Sequence, residues 1–188
     1  MQKSLATTFL FVPGDRPERF AKAAASGAGL VVLDLEDAVA PDHKDAARDN
    51  IAQALGPGTL RACIRINGID TPWFDDDCRL LHLAGVAAVM LPKADTQSGL
   101  AQVHAACAAG TPLVPIIETA SGLIDVQAVA RSAGVRQLAF GSVDFQQDLA
   151  IEGDGLELLH ARSLLVLHSR GAGLAGPVDG VTLTTRDM

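Results

Sequence analysis

Two carboxylates and one arginine give the first hint of chemistry in this sequence. Glu118 follows the apolar run Leu113 to Ile117, and the run Gln137 to Phe140 leads into Gly141-Ser142-Val143-Asp144. If both runs are neighbouring strands, about 4.8 Å apart, the two carboxylates either raise each other's pKa or share a cation. No histidine or cysteine lies near either one in sequence, so a hard ion such as Mg2+ suits them better than zinc or iron; water and substrate oxygens would complete its coordination. The plainer alternative has Glu118 capping a helix that begins near Ser121, or pairing with an arginine. Arg65 interrupts the apolar stretch Cys63-Ile64-Arg65-Ile66, where an unpaired charge is costly. Its partner is either Asp34 or Glu36 on an adjacent strand, or a substrate carboxylate or enolate oxygen.

Asp34, Glu36 and Asp37 put three carboxylates within four residues. Alternation along a strand sends Asp34 and Glu36 to one face and leaves Asp37 to open the following loop. One of them can act as a base or orient Arg65, and the alternative for the others is a solvated carboxylate or a cap on the following helix. Arg16, in the first loop, is a candidate contact to substrate phosphate or carboxylate. Lys93 is a weaker candidate for a Schiff-base lysine. The five histidines are expected on helices, and no GxSxG supports a serine hydrolase.

The elements that must position these residues show in the hydropathy. Short apolar runs recur at Thr7 to Val12, Leu30 to Leu35, Leu60 to Ile66, Val86 to Leu91, Leu113 to Ile117 and Gln137 to Phe140, with a weaker one near Val178 to Leu183. Their hydrophobicity is continuous rather than alternating, the habit of a parallel sheet covered on both faces. Helical segments lie between them: Pro17 suits a first turn, Asp42 opens a run to Leu55, Ser121 precedes a helix closed by Gly134, and Leu156 to Arg170 is ended by Gly171. Repeated strand-helix units build a doubly wound sheet or a (β/α)8 barrel. The first turn, Pro13-Gly14-Asp15-Arg16-Pro17, lacks GxGxxG, so the barrel is favoured. The ionisable candidates then gather at the carboxyl ends of the strands, where barrel enzymes keep their sites.

Composition narrows the function classes. With 188 residues, 48% apolar and 20% charged, the chain is expected to be one domain spanning 1–188, not disordered, collagenous or coiled coil. A formal charge of −7 without a basic face argues against nucleic-acid partners. Cys63, Cys78 and Cys107 are far apart and form no CxxC pair, which points to reduced thiols in a cytoplasmic protein. The sequence has neither a signal-peptide pattern nor an apolar run of the ~18 residues that a membrane span requires.

The motifs Phe11-Val12-Pro13-Gly14-Asp15-Arg16-Pro17, Leu33-Asp34-Leu35-Glu36-Asp37-Ala38-Val39, Arg65-Ile66-Asn67-Gly68, Leu91-Pro92-Lys93, Ile117-Glu118-Thr119-Ala120-Ser121-Gly122, Phe140-Gly141-Ser142-Val143-Asp144, Ala161-Arg162-Ser163 and Pro177-Val178-Asp179-Gly180-Val181 occur in this order. Together they resemble the citrate lyase beta subunit-like proteins of the HpcH/HpaI aldolase superfamily, which also holds malyl-CoA and β-methylmalyl-CoA lyases. The resemblance implies a (β/α)8 TIM-type barrel. It also implies Mg2+-dependent carbon-carbon cleavage of a 3-hydroxyacyl-CoA, such as citryl-CoA or malyl-CoA, to acetyl-CoA and an oxo acid. It casts Glu118 and Asp144 as metal ligands, Arg65 as the catalytic arginine, Glu36 and Asp37 as the acidic second-strand pair, and Arg16 as a contact to the CoA side. Family members commonly form trimers or hexamers, so a homo-oligomer is expected. The family pattern continues into an eighth strand and C-terminal helices, and this sequence lacks both, so the barrel is expected to be truncated after strand seven. Two alternatives follow: an aldolase acting on a free oxo or hydroxy acid without CoA, and a non-catalytic binding relative.

Overall fold

The computed structural model describes residues 5–95 and 97–182. Six parallel strands pair in sequence order: β1 (Phe9–Pro13), β2 (Leu30–Asp34), β3 (Ala62–Arg65), β4 (Val86–Leu91), β5 (Leu113–Ile117) and β6 (Ala139–Phe140). Helical connections run between them: α1 (Phe20–Ala24), α2 (Lys44–Leu55), α3 (Phe74–Cys78), α4 (Gln97–Ala106), and the short pair α5 (Ala120–Ile124) and α6 (Val126–Ala130). After β6 come α7 (Ser142–Leu149) and α8 (Leu159–Gly171). Because the strands follow one another without reversal, the sheet curls in one sense, as a half-barrel.

The continuous apolar runs are buried on both faces because the sheet separates two cores. Val31, Leu33, Ile64, Val89 and Ile117 face the helices in the larger core. The alternate residues Val32, Cys63, Ala88, Met90, Val114 and Ile116 form a smaller core on the concave side, with Phe9, Phe11 and Val178 packed against it. A period of two along each strand then carries the concave row upward from Val32 to Asp34, from Cys63 to Arg65 and from Ile116 to Glu118. The apolar floor is therefore capped by a layer of charged side chains at the carboxyl ends.

Two expectations about elements need correction. The seventh strand, expected over Val178 to Leu183, is a single parallel bridge between Ala139 and Val178 among the described residues; Leu183 lies outside them. Pro177 has no N–H to give, and the Gly180 N–H donates to the Asp179 side chain at 2.8 Å rather than to a ladder. The second correction is at β6, which ends at Phe140, so Asp144 sits in the first turn of α7 rather than at a strand end.

Candidate active site

Arg65 and Asp34 are direct cross-strand partners, and alternation points both to the concave side. The Arg65 fork donates from Nε to Asp34 Oδ1 and from Nη2 to Asp34 Oδ2, each at 2.6 Å. Asp34 is fully buried, and its oxygens also accept the backbone N–H groups of Glu36 and Ala38. The remaining arm, Nη1, lies 2.9 Å from Glu36 Oε2 and 3.8 Å from Asp37 Oδ2. The Glu36 contact falls outside hydrogen-bond geometry. The internal partnership considered for Arg65 is therefore present. It uses the inner edge of the guanidinium, while Arg65 still lines a small cavity with Glu118 and Asp144. Burial opposes the Arg65 charge, but hydrogen bonds to Asp34 and the surrounding carboxylates outweigh it and hold the pKa above the usual arginine value.

Glu118 is buried, and its Oε1 accepts the Lys93 backbone N–H at 2.8 Å. That donor is aimed by a left-handed backbone at Lys93, with φ of 48°. A residue with a Cβ pays roughly 1–2 kcal/mol for this conformation. Lys93 thus acts through its main chain, and its ammonium is mostly exposed, 4.0 Å from Glu36 Oε1. Gly141 makes room for the Glu118 carboxylate, since a Cβ there would stand 2.3 Å from Oε2. Asp144 reaches the same cavity from α7, whose first turn folds back over the end of β6.

The electrostatics follow from desolvation. Burial lifts the Glu118 pKa to about 7, helped by Asp144 and opposed by the Lys93 N–H, Arg65 and the Lys93 charge. Burial also lifts Glu36 to about 8; Arg65 pulls against it, and Asp37, Glu118 and Asp34 add to it. Asp34 takes most of the Arg65 fork, which leaves Glu36 as a buried carboxyl with a raised pKa. Asp37 is largely exposed and borders a wider cleft of ≈560 Å3 with Glu36, Lys44, Asn67 and Lys93.

Arg16 is more than half exposed, its nearest carboxylate is Asp15 at 3.8 Å, and it borders neither cavity. The structure therefore brings together Glu36, Asp37, Arg65, Glu118 and Asp144, and leaves Arg16 apart. Sequence reasoning gave no role to Lys44, Asn67 and Asp77, which form a buried polar network behind Glu36. Charged residues at helix starts usually read as solvated, so the only signal was Asn67 inside the Arg65-Ile66-Asn67-Gly68 motif.

Among the described residues no group of three or more His, Cys, Asp or Glu side chains could enclose a metal. Two carboxylates beside a cavity fit a hard cation that takes its other oxygens from water and substrate. Neither histidine nor cysteine lines that cavity, so this donor set does not suit zinc.

The HpcH/HpaI aldolase/citrate lyase family pattern matches residues 7–188. The chain belongs to that family. It is 30% identical over 187 residues to the citrate lyase subunit beta of Leuconostoc mesenteroides subsp. cremoris, covering 91% of this chain and 62% of that protein. It is 37% identical over 163 residues to an L-malyl-CoA/beta-methylmalyl-CoA lyase of Cereibacter sphaeroides, covering 78% and 51%. The chain thus spans between half and two thirds of the curated relatives it matches. Among solved structures, the citrate lyase beta subunit of M. tuberculosis complexed with oxaloacetate and magnesium superposes with a TM-score of 0.82 at 31% identity, covering 97% of this chain and 81% of that one. A complex of the M. tuberculosis protein CitE with magnesium, acetoacetate and coenzyme A gives 0.82 at 33%, covering 97% and 68%.

Proposed function

We propose that this chain carries the Mg2+ site of a carbon-carbon lyase that cleaves a 3-hydroxyacyl-CoA of the citryl-CoA or malyl-CoA type to acetyl-CoA and an oxo acid. The observation that carries the proposal is the cavity shared by Glu118, Asp144 and Arg65, with Glu36 paired to Arg65 behind it. In this reading the six strands are the larger part of a (β/α)8 barrel formed as one domain.

Glu118 and Asp144 would hold Mg2+, which when bound polarises the substrate oxygens as a Lewis acid. Arg65, fixed by Asp34, presents its outer edge to the enolate oxygen that develops as the carbon-carbon bond breaks. The substrate hydroxyl proton passes to a carboxylate, for which Glu36 is the candidate because its pKa of about 8 makes it a competent acceptor and donor. The bond pair goes to the acetyl-CoA enolate, and the same proton returns to its methylene carbon. Asp37, exposed beside Arg65, connects this pair with solvent.

The magnesium, oxaloacetate and coenzyme A complexes of the structural relatives support this reading. The placement of Arg16 favours a second reading, an aldolase on a free oxo or hydroxy acid, because the expected CoA contact borders neither cavity. The test is acetyl-CoA release from malyl-CoA and citryl-CoA, and oxo-acid release from the free hydroxy acids, with and without Mg2+. Carbon-carbon cleavage of an acyl-CoA that needs Mg2+ and disappears in Glu118→Gln supports the lyase. Cleavage confined to the free acids supports the second reading, and Mg2+-dependent acid binding without turnover would identify a binding relative.

A further inference from the structure

Lys44 is buried at 4% exposure in the first turn of α2, where a lysine would ordinarily reach into water. Its ammonium donates to the backbone carbonyls of Leu35 and Glu36 and to Asn67 Oδ1, the last two at 2.8 and 2.7 Å. All three N–H groups are used, and all three acceptors are neutral. The indole of Trp73 covers the ammonium at 4.9 Å. Asn67 extends the network by donating to the Leu35 carbonyl at 3.0 Å and to Asp77 Oδ2 at 2.7 Å. Asp77, itself buried, also accepts the Asn67 backbone N–H and is paired with Arg48 at 3.0 Å.

A buried ammonium is an expensive way to fill space, because an apolar side chain of the same length would avoid the desolvation cost. What Lys44 holds is specific. The two carbonyls belong to Leu35 and Glu36 in the turn that aims the Glu36 carboxylate at Arg65, and Asn67 lies two residues beyond Arg65, past the end of β3. The ammonium therefore ties the turn after β2 to the turn after β3, the two segments whose side chains meet in the Glu36–Arg65 contact.

We propose that Lys44 is a positioning residue for the reaction: its ammonium fixes the Leu35–Glu36 turn against Asn67 and so sets the placement of Glu36 relative to Arg65. This rests on the lyase reading. Glu118 follows β5 and Asp144 lies in the first turn of α7, on segments that Lys44 does not touch, so metal binding is expected to be independent of Lys44.

The test uses the full chain, with Mn2+ as a spectroscopic probe of the metal site. In Lys44→Met, kcat for carbon-carbon cleavage of the acyl-CoA is expected to fall about 10- to 100-fold, as for a catalytic group displaced by roughly an ångström. KM and Mn2+ affinity, read by electron paramagnetic resonance, should stay within about threefold, and Lys44→Arg should recover part of kcat because a guanidinium keeps the charge and several donors. A merely structural plug would lower metal affinity, KM and kcat together, with no rescue by arginine; that outcome, or a Lys44→Met enzyme with unchanged kcat, overturns the proposal. If the unaltered chain binds Mn2+ but cleaves nothing, the lyase reading fails separately. The Lys44 proposal is then decided by the 15Nε resonance of Arg65: a shift in Lys44→Met supports it, and an unmoved signal refutes it. Should Lys44→Met not fold, Lys44→Gln replaces it in the same measurements.

Discussion

At the scale of single residues, the site is governed by what burial does to four neighbouring charges. Asp34 and Arg65 settle each other with two short hydrogen bonds, so removing one partner strands the other. Arg65→Met leaves Asp34 buried and unpaired and is expected to cost about 3–5 kcal/mol, read by urea denaturation. Adding Asp34→Asn should recover part of that loss, as coupled neighbours do. Glu36 and Glu118 behave in the opposite way, because their carboxyls are raised from 4.5 to about 8 and about 7. The folded, metal-free chain keeps protons that the unfolded chain has lost. The resulting stabilisation is complete below pH 4.5 and disappears as pH rises through 7 to 8. Each group contributes a slope of about −1.4 kcal/mol per pH unit across that window. Denaturation in a chelator at several pH values should show the decline, and Glu118→Gln should remove its share. Mg2+ competes with the same proton, so its apparent affinity should drop below pH 7, where calorimetric titration can follow it.

At the scale of elements, strand alternation delivers the cluster and two local backbone features complete it. Parity along β2, β3 and β5 points Asp34, Arg65 and Glu118 to one side, above an apolar floor. The left-handed turn at Lys93 then supplies an N–H to Glu118, and Gly141 leaves the space that its carboxylate occupies. Gly141→Ala should push Glu118 away, weakening Mn2+ binding about tenfold or more and costing about 1–3 kcal/mol through overpacking. Paramagnetic resonance and thermal melting together separate the two effects: normal metal affinity in a destabilised variant would show that this glycine serves packing alone. The apolar runs of β1 to β6 were legible because parallel strands covered on both faces need uninterrupted hydrophobicity. The helix after β6 was not, since Gly141-Ser142-Val143-Asp144 reads equally as a loop. Its first turn, rather than a strand end, carries Asp144.

At the scale of the whole molecule, the curled sheet has a seam between its ends, and the Gln137 amide spans it. Gln137, on the concave row below Ala139, accepts the Leu5 N–H at 3.2 Å and donates to the carbonyls of Ala6 and Gly176 at 3.2 and 2.9 Å. It links the chain before β1 to the chain before Val178. Gln137→Leu would leave those backbone groups without the amide, at a cost of about 1–3 kcal/mol, while metal binding at the opposite end of the strands persists. Thermal denaturation beside Mn2+ titration checks both halves. Among the described residues no helix is long and apolar enough to cross a membrane.

By itself the sequence determined the order of the strands and the gathering of Glu36, Asp37, Arg65 and Glu118 at one end of the sheet. Hydrophobic periodicity and the spacing of charges along strands are local properties, so they survive in one dimension. Tertiary structure alone decided that Asp34 occupies the inner edge of Arg65, that Arg16 stands apart, and that Lys44, Asn67 and Asp77 form a buried network. Each of these depends on which charges share a desolvated space, and that is settled only when segments distant in sequence pack together and exclude water.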